Sequence, residues 1–201
     1  MDITLMRFYR LLDQLIEHPE KESEIEAKIR LNYEGYWSVW VSDMSGFSSR
    51  TSKYGILHFL GLIRRQHRQC LPFFDKYSAI PIKFEADNML VLFNDTQNAV
   101  NCAVETIRHL QHYNKSVHER YTIRLCIGIG FGPVLNLDNR DVFGNEVNLA
   151  SKLGEDVADA EQVLITEAAF EQVKEMPGVT FEKRSADVSN VKFDYYRVVV
   201  E

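Results

Sequence analysis

Apolar residues recur at helical spacing from the start of the chain. Leu5, Phe8, Leu11, Leu12, Leu15 and Ile16 form one stripe, and Pro19 ends the run. A second, charged helix is predicted over Glu20 to Leu31, with Ile25 and Ile29 on one side. The period then changes. Tyr36-Trp-Ser-Val-Trp-Val-Ser42 is an apolar strand that stops at Asp43 and turns through Ser45-Gly46-Phe47 into a long helix. Ile56, Leu57, Phe59, Leu60, Leu62 and Ile63 make Tyr54 to Phe74 helical, with Arg64, Arg65, His67 and Arg68 as a solvated face toward the C-terminal end of its dipole. Two apolar runs between Ser78 and Phe93 flank Glu85-Ala86-Asp87-Asn88, the pattern of a hairpin. Asn94 to Asn114 is amphipathic, with Ala99, Val100, Ala103, Ile107 and Leu110 on its stripe.

Thr122 to Gly132 reads as a strand with alternating Gly128, Gly130 and Gly132. Glycine weakens a strand unless another backbone or a ligand comes close, and this spacing is not the GxGxxG of a dinucleotide site. Pro133 to Arg140 suits a connecting hairpin. A helix from Asp141 to Lys152 then sets Asn148 and Lys152 four apart on one face. Strands over Gln162–Thr166, Val179–Lys183 and Tyr195–Val200 and a helix over Glu167–Lys174 complete the pattern. The order predicts an α+β fold, a ferredoxin-like βαββαβ sandwich with helices on one face of a mainly antiparallel sheet and an antiparallel C-terminal edge. Residues 1–34 form an N-terminal helical segment that packs on its own domain or on a second copy, and 35–201 form the main domain. Such a fold does not name an activity.

Composition narrows the choice. With 201 residues, 45% hydrophobic and 26% charged, the chain fits one ordinary domain with an appendage. A net charge of -6 argues against a broad nucleic-acid surface, though metal ions and a few local cations could still offset a nucleotide's phosphates. Cys70, Cys102 and Cys126 are scattered and odd in number, which points to buried, inert thiols in a reducing cytoplasm. No apolar run approaches a membrane span, and Asp2, Arg7 and Arg10 are wrong for a signal peptide.

The candidate chemistry starts at Asp43. A carboxylate where a strand meets a helix start, with free amides just after it, could hold a divalent cation against a phosphate; alone, it could equally be a helix cap. Asp87 occupies a comparable junction, where a polar hairpin tip alone is structural. Three segments taken together carry more. Asp43-Met-Ser-Gly-Phe47 resembles the D-x-x-G-F element of the class III nucleotidyl cyclases, the adenylate and guanylate cyclase catalytic domain. Lys83-Phe-Glu-Ala-Asp87 resembles the family's K-x-x-G-D element, and Phe143-Gly144-x-x-Val147-Asn148-x-Ala150-Ser151-Lys152 resembles its G-x-x-V-N-x-A-x-R helix. The resemblance covers Trp37 to Tyr196 in the family's order.

The resemblance implies conversion of ATP to 3′,5′-cyclic AMP and pyrophosphate with two Mg2+ or Mn2+ per site. Asp43 and Asp87 would be the metal ligands, supported by the backbone of Met44, and Met44, Gly46 and Phe47 would support the triphosphate. Asn148 would position the ribose and Lys152 would contact the α-phosphate. Lys83 and Asp141 stand where adenylate cyclases read adenine, Lys donating to N1 and Asp accepting from the exocyclic amine; guanine offers the opposite pattern. The implied assembly is a head-to-tail homodimer whose sites combine metal ligands of one chain with base-reading residues of the other.

Four positions depart from the family. Lys152 replaces Arg and loses its planar fork, and Ala86 replaces a turn Gly. Lys192 is only a shifted candidate for the lysine that binds the terminal phosphates. Glu85 is an additional acid without an assigned role. Two other readings stand beside the first: a cyclase of different base choice (GTP, or a pyrimidine nucleotide as in phage-defence members of the superfamily), and a degenerate cyclase serving as a binding module.

Overall fold

A computed structural model describes residues 3–188 and 191–200, with the side chains of residues 47–50 outside that description. Helices α1 (Ile3–Glu17) and α2 (Glu22–Tyr33) are joined by a short 3-10 turn that begins at Pro19. They lead into the strand β1 (Glu34–Met44). The chain continues through α3 (Phe47–Tyr54), α4 (Ile56–Lys76), the hairpin β2 (Ile80–Glu85) and β3 (Asn88–Phe93), α5 (Thr96–Lys115) and β4 (Leu125–Asn136). It ends with β5 (Val142–Phe143), α6 (Asn145–Ser151), β6 (Val163–Thr166), α7 (Glu167–Val173), β7 (Val179–Val188) and β8 (Val191–Val200).

The sheet runs β2-β3-β1-β4-β6-β8-β7, with β5 on β4. Its first four strands have the ferredoxin-like order, and only β4 and β6 pair parallel. The β7–β8 hairpin forms the antiparallel C-terminal edge, as the sequence pattern predicted. Alternation divides the residues of β1 between two cores. Trp40 and Met44 join Met89, Val91 and Phe93 beneath α4 and α5, where Leu62, Phe74, Ala99, Cys102 and Ile107 are buried. Val39 and Val41 join Leu92 and Ala150 on the opposite side. All three cysteines are buried and unbonded. Burial pushes the thiols of Cys126 and Cys102 up, to about 11 and about 12.

Four local expectations are corrected. Helices do not keep to one face, because α6 lies on the face opposite α4 and α5. The alternating glycines permit this: a Cβ on Gly128 would stand 2.1 Å from the carbonyl oxygen of Ala150. The approaching group is therefore backbone and not a ligand. The long helix after Asp43 is broken at Gly55, whose φ of 81° lies in the left-handed region. Pro133–Asn136 extends β4, so the hairpin turn starts only at Leu137. Finally, the helix carrying Asn148 starts at Asn145 and not at Asp141, because Val142–Phe143 pairs with β4 as a strand, and it stops at Ser151, where Lys152–Val157 forms a π turn. Glycine explains this ending too, since Gly154 sits close enough to β1 that a Cβ would be 3.0 Å from the Val41 carbonyl.

The N-terminal helices pack on their own chain. Phe8, Ile25, Ile29 and Leu137 form a buried cluster at the β4–β5 turn, although Ile16 of the predicted stripe remains 78% exposed. Among the described residues, no helix is long and apolar enough to cross a membrane.

Candidate active site

Val39, Val41 and Asp43 alternate onto the α6 face of β1, and β2 and β3 bring Asp87 to the same end of the sheet in their connecting turn. The carboxyl groups of Asp43 and Asp87 lie close enough to perturb each other's ionisation. Burial first, then the charge of Asp87, push Asp43 up to about 6. Burial likewise raises Asp87, which is only 5% exposed. The Met44 backbone N–H donates to both carboxylates, while the Met44 side chain is buried in the core. One oxygen of Asp87, Oδ2, is buried without a hydrogen-bond partner.

The turn that holds Asp87 is locally constrained. Ala86 adopts a φ of 52°, so alanine accepts the left-handed conformation that a glycine would take there at lower cost. The buried Gln66 of α4 fixes the next peptide, its Nε2 donating to the Asp87 carbonyl at 2.8 Å. Gln66 escaped the sequence reading because a lone amide in a helix normally reads as surface. Glu155 escaped it as well. In the π turn it accepts from Asn88 Nδ2 at 3.2 Å, and its carboxyl is raised by burial and then by the charges of Asp156 and Asp87. It lies beyond the predicted helix, which ends at Lys152, and no motif marks it.

The amides after Asp43 are not all free, contrary to expectation. That of Met44 serves the carboxylates, and that of Ser45 donates to the Arg124 carbonyl at 2.9 Å. Gly46 turns the chain at a φ of 78° into α3, which opens without a side-chain cap. Phe47 starts α3, and its side chain lies outside the described residues.

On the same face, Lys83 Nζ lies 2.8 Å from Asp141 Oδ1. Asp141 is held from both ends. Its Oδ1 accepts from the Val142 N–H at 2.9 Å, and its carbonyl accepts from the Leu137 N–H at 2.9 Å. The hydrogen bond to Asp141 is the main reason the Lys83 ammonium is held above its usual pKa. Lys83 and Asp141 line a cavity of about 290 Å³ with Glu85, Asn88, Ser151 and Glu155. Glu85, the unassigned acid, therefore stands at the rim of this cavity beside Lys83.

Asn148 is exposed on α6 and Lys152 half-buried one turn on, and the Lys152 N–H still bonds to the Asn148 carbonyl across the change to π geometry. Lys192 is not among the cavity's lining residues; it sits on the β7–β8 hairpin, 3.7 Å from Asp187. Among the described residues no group of three or more His, Cys, Asp or Glu side chains is arranged to hold a metal. Asp43 and Asp87 are the side chains that could hold one, with remaining positions left to backbone, substrate oxygens and water, a donor set that suits Mg2+.

Fold and site together define an α+β domain with a carboxylate pair beside a polar cavity. Residues 38–195 match the Adenylate and Guanylate cyclase catalytic domain family, and the chain belongs to that family. A stretch of 99 residues is 30% identical to "Putative adenylate cyclase 3" of Rhizobium meliloti (strain 1021), covering 49% of this chain and 16% of that protein. Among solved structures, the guanylyl cyclase Cya2 superposes with a TM-score of 0.72 at 21% identity, over 84% of this chain and 94% of that one. The adenylyl cyclase CyaB from P. aeruginosa superposes with a TM-score of 0.70 at 21% identity, over 84% of this chain and 95% of that one.

Proposed function

We propose that this nucleotidyl cyclase domain converts ATP to 3′,5′-cyclic AMP and pyrophosphate, using two Mg2+ or Mn2+ ions at composite sites of a homodimer. The observation that carries the choice of ATP is the Lys83–Asp141 pair, 2.8 Å apart at the cavity wall. An ammonium has three donors and a carboxylate several acceptor sites, so the pair can bond to each other and still meet a base edge. Adenine presents an acceptor at N1 and a donor in its amine, which complements this pair. Guanine presents N1–H and a carbonyl, which does not. The name of the Rhizobium relative agrees with the choice of ATP, while guanylyl cyclases share the fold.

Asp43 and Asp87 would hold the metal ions, and the fit rests on the orphaned Oδ2 of Asp87 and the crowded charge that burial and proximity create at the pair. When bound, the ions would lower the pKa of the ribose 3′-hydroxyl and neutralise the charge growing on the phosphates. The chain's own residues do the remaining work. Asn148 would orient the ribose so that its 3′-oxygen faces the α-phosphate. Lys152 would place a positive charge against that phosphate as a point charge, without the bidentate fork of an arginine. Lys83 and Asp141 would fix the base and thereby the sugar.

The test is turnover of ATP, GTP, CTP and UTP separately, with Mg2+ and with Mn2+, alongside Asp43→Ala. Cyclic AMP from ATP, abolished in the variant, is the expected result. A different cyclic nucleotide would overturn the base assignment and leave the metal chemistry standing, and no product from any of the four would support the non-catalytic reading.

A further inference from the structure

Asp141 belongs to a short segment whose position is set by α1. Leu137, which donates to the Asp141 carbonyl, is 1% exposed inside the cluster made by Phe8, Ile25 and Ile29. Thr4 Oγ1 donates to Asp138 Oδ2 in the same turn. On the far side of Asp141, Phe143 stacks on Phe8 with ring centroids 5.9 Å apart and planes within 9°. Phe8 is itself 5% exposed and wedged edge-on against Tyr33 at 5.3 Å. The helix thus grips the segment both before and after Asp141.

The grip at Phe143 is narrow. An apolar groove of about 540 Å³ opens beside it, between Leu12, Leu15 and Ile29 on the helices and Leu135 and Gly144 on the domain. The Phe8–Phe143 stack is the ring contact between α1 and β5, and one substitution can remove it.

We propose that α1 is a positioning element of the nucleobase pocket, with Phe8 acting through Phe143 to hold Asp141 against Lys83. This rests on the reading of Lys83 and Asp141 as the base-binding pair. Tyr9, the next residue of α1, lies within electrostatic reach of the Lys83 ammonium, which places α1 close to the base-binding pair. Base selection in this chain therefore depends on residues outside the stretch that matches the cyclase family, which begins at Ser38. A signal that moves α1 would reach substrate binding before it reached the metal site.

The experiment compares Phe8→Ala, Phe143→Ala and Phe143→Tyr with Val173→Ala, a buried change on α7 away from this contact. Both alanine variants at the stack should raise KM for ATP roughly fivefold to tenfold and lower the preference for ATP over GTP, with kcat within about twofold, as expected for lost positioning of a bound group. Phe143→Tyr keeps the ring and should restore both values. Val173→Ala should lose stability without moving either. If Phe8→Ala is too unstable, Phe8→Leu keeps the bulk and loses the stack. Hydrogen exchange at the Leu137 amide provides a readout apart from turnover, and it should speed in the Phe8 variants.

Lys83→Ala is measured in parallel. If Lys83→Ala changes base preference and the stack variants behave like Val173→Ala, the positioning role is overturned alone. If Lys83→Ala also leaves base preference unchanged, the base-pocket reading fails and takes the positioning role with it.

Discussion

A half-buried carboxylate beside a second one stores a charge problem, and Asp43 shows its sign. Its folded pKa, about 6, stands above the ordinary 3.8, so the folded metal-free chain binds more protons than the unfolded one between those values. Stability contributed by this group is present at low pH, falls as pH rises from 3.8 toward about 6, and is level above. Asp43→Asn keeps a hydrogen-bonding side chain beside Asp87 and removes the charge. At pH 7.5 the metal-free variant should gain on the order of 1 kcal/mol over the parent, a figure kept small because solvent reaches Asp43, and at pH 3.5 it should gain nothing. Urea midpoints at the two pH values decide it, and a gain equal at both would refute the charge argument. Added Mg2+ should stabilise the parent and leave the variant unmoved. At this scale the sequence was informative where the chemistry was local: the junctions of Asp43 and Asp87 could each be structural alone, and it was the three motifs together that singled the two residues out. Gln66 and Glu155 could not be singled out, because each reaches the site through tertiary packing that no helical period encodes.

Helix α6 carries Asn148 and leads into the π turn that starts at Lys152, and what places it is the absence of three side chains on β4. A Cβ on Gly128 would meet the Ala150 carbonyl at 2.1 Å and the Gly154 amide at 2.6 Å, both backbone atoms that cannot yield. At Gly132 the nearest atom is Cγ of Glu146 at 2.8 Å, a side-chain atom whose displacement strains the Glu146 carboxylate's bonds to Phe131 and Thr166 but moves no backbone. Gly130 is intermediate, since its Cβ would face the Glu146 carbonyl at 2.8 Å. Gly128→Ala should therefore cost at least about 3 kcal/mol and displace α6, whereas Gly132→Ala should cost about 1 kcal/mol. Denaturant midpoints of the two variants test the ranking, and equal losses would mean that α6 is not seated by backbone contact. The alternation Gly128, Gly130, Gly132 was visible in the sequence, and so was the need for a close neighbour. Whether that neighbour was ligand or backbone was not, because the answer lies in a helix more than a dozen residues downstream. The same contact sets the end of α6: Gly154 lies close against β1, and the π turn that achieves this is fixed by tertiary packing and not by the local sequence.

Over the whole molecule, Asp43 and Asp87 occupy the same face of the sheet as Lys83 and Asp141, so a single chain carries both the proposed metal ligands and the proposed base-binding pair. The proposed homodimer nevertheless assigns the two sets to different chains at each site, and an exchange experiment separates the alternatives. A chain with Asp43→Ala and a chain with Lys83→Ala are each expected to be poorly active alone, since every site in either homodimer lacks one set. Mixed in equal amounts after subunit exchange, half the dimers are heterodimers, and a two-fold arrangement gives each of these one site with both defects and one site with neither. The mixture should then recover about a quarter of the parent activity, because half of the dimers hold one intact site out of two. If each chain builds its site from its own residues, the heterodimer has no intact site and mixing restores nothing. The fold was legible from hydrophobic period alone, but this division of labour was not. Periodicity describes how one chain buries its apolar surface, whereas the partition of a site between two copies depends on which polar residues are left facing outward, and only activity in mixed dimers measures that.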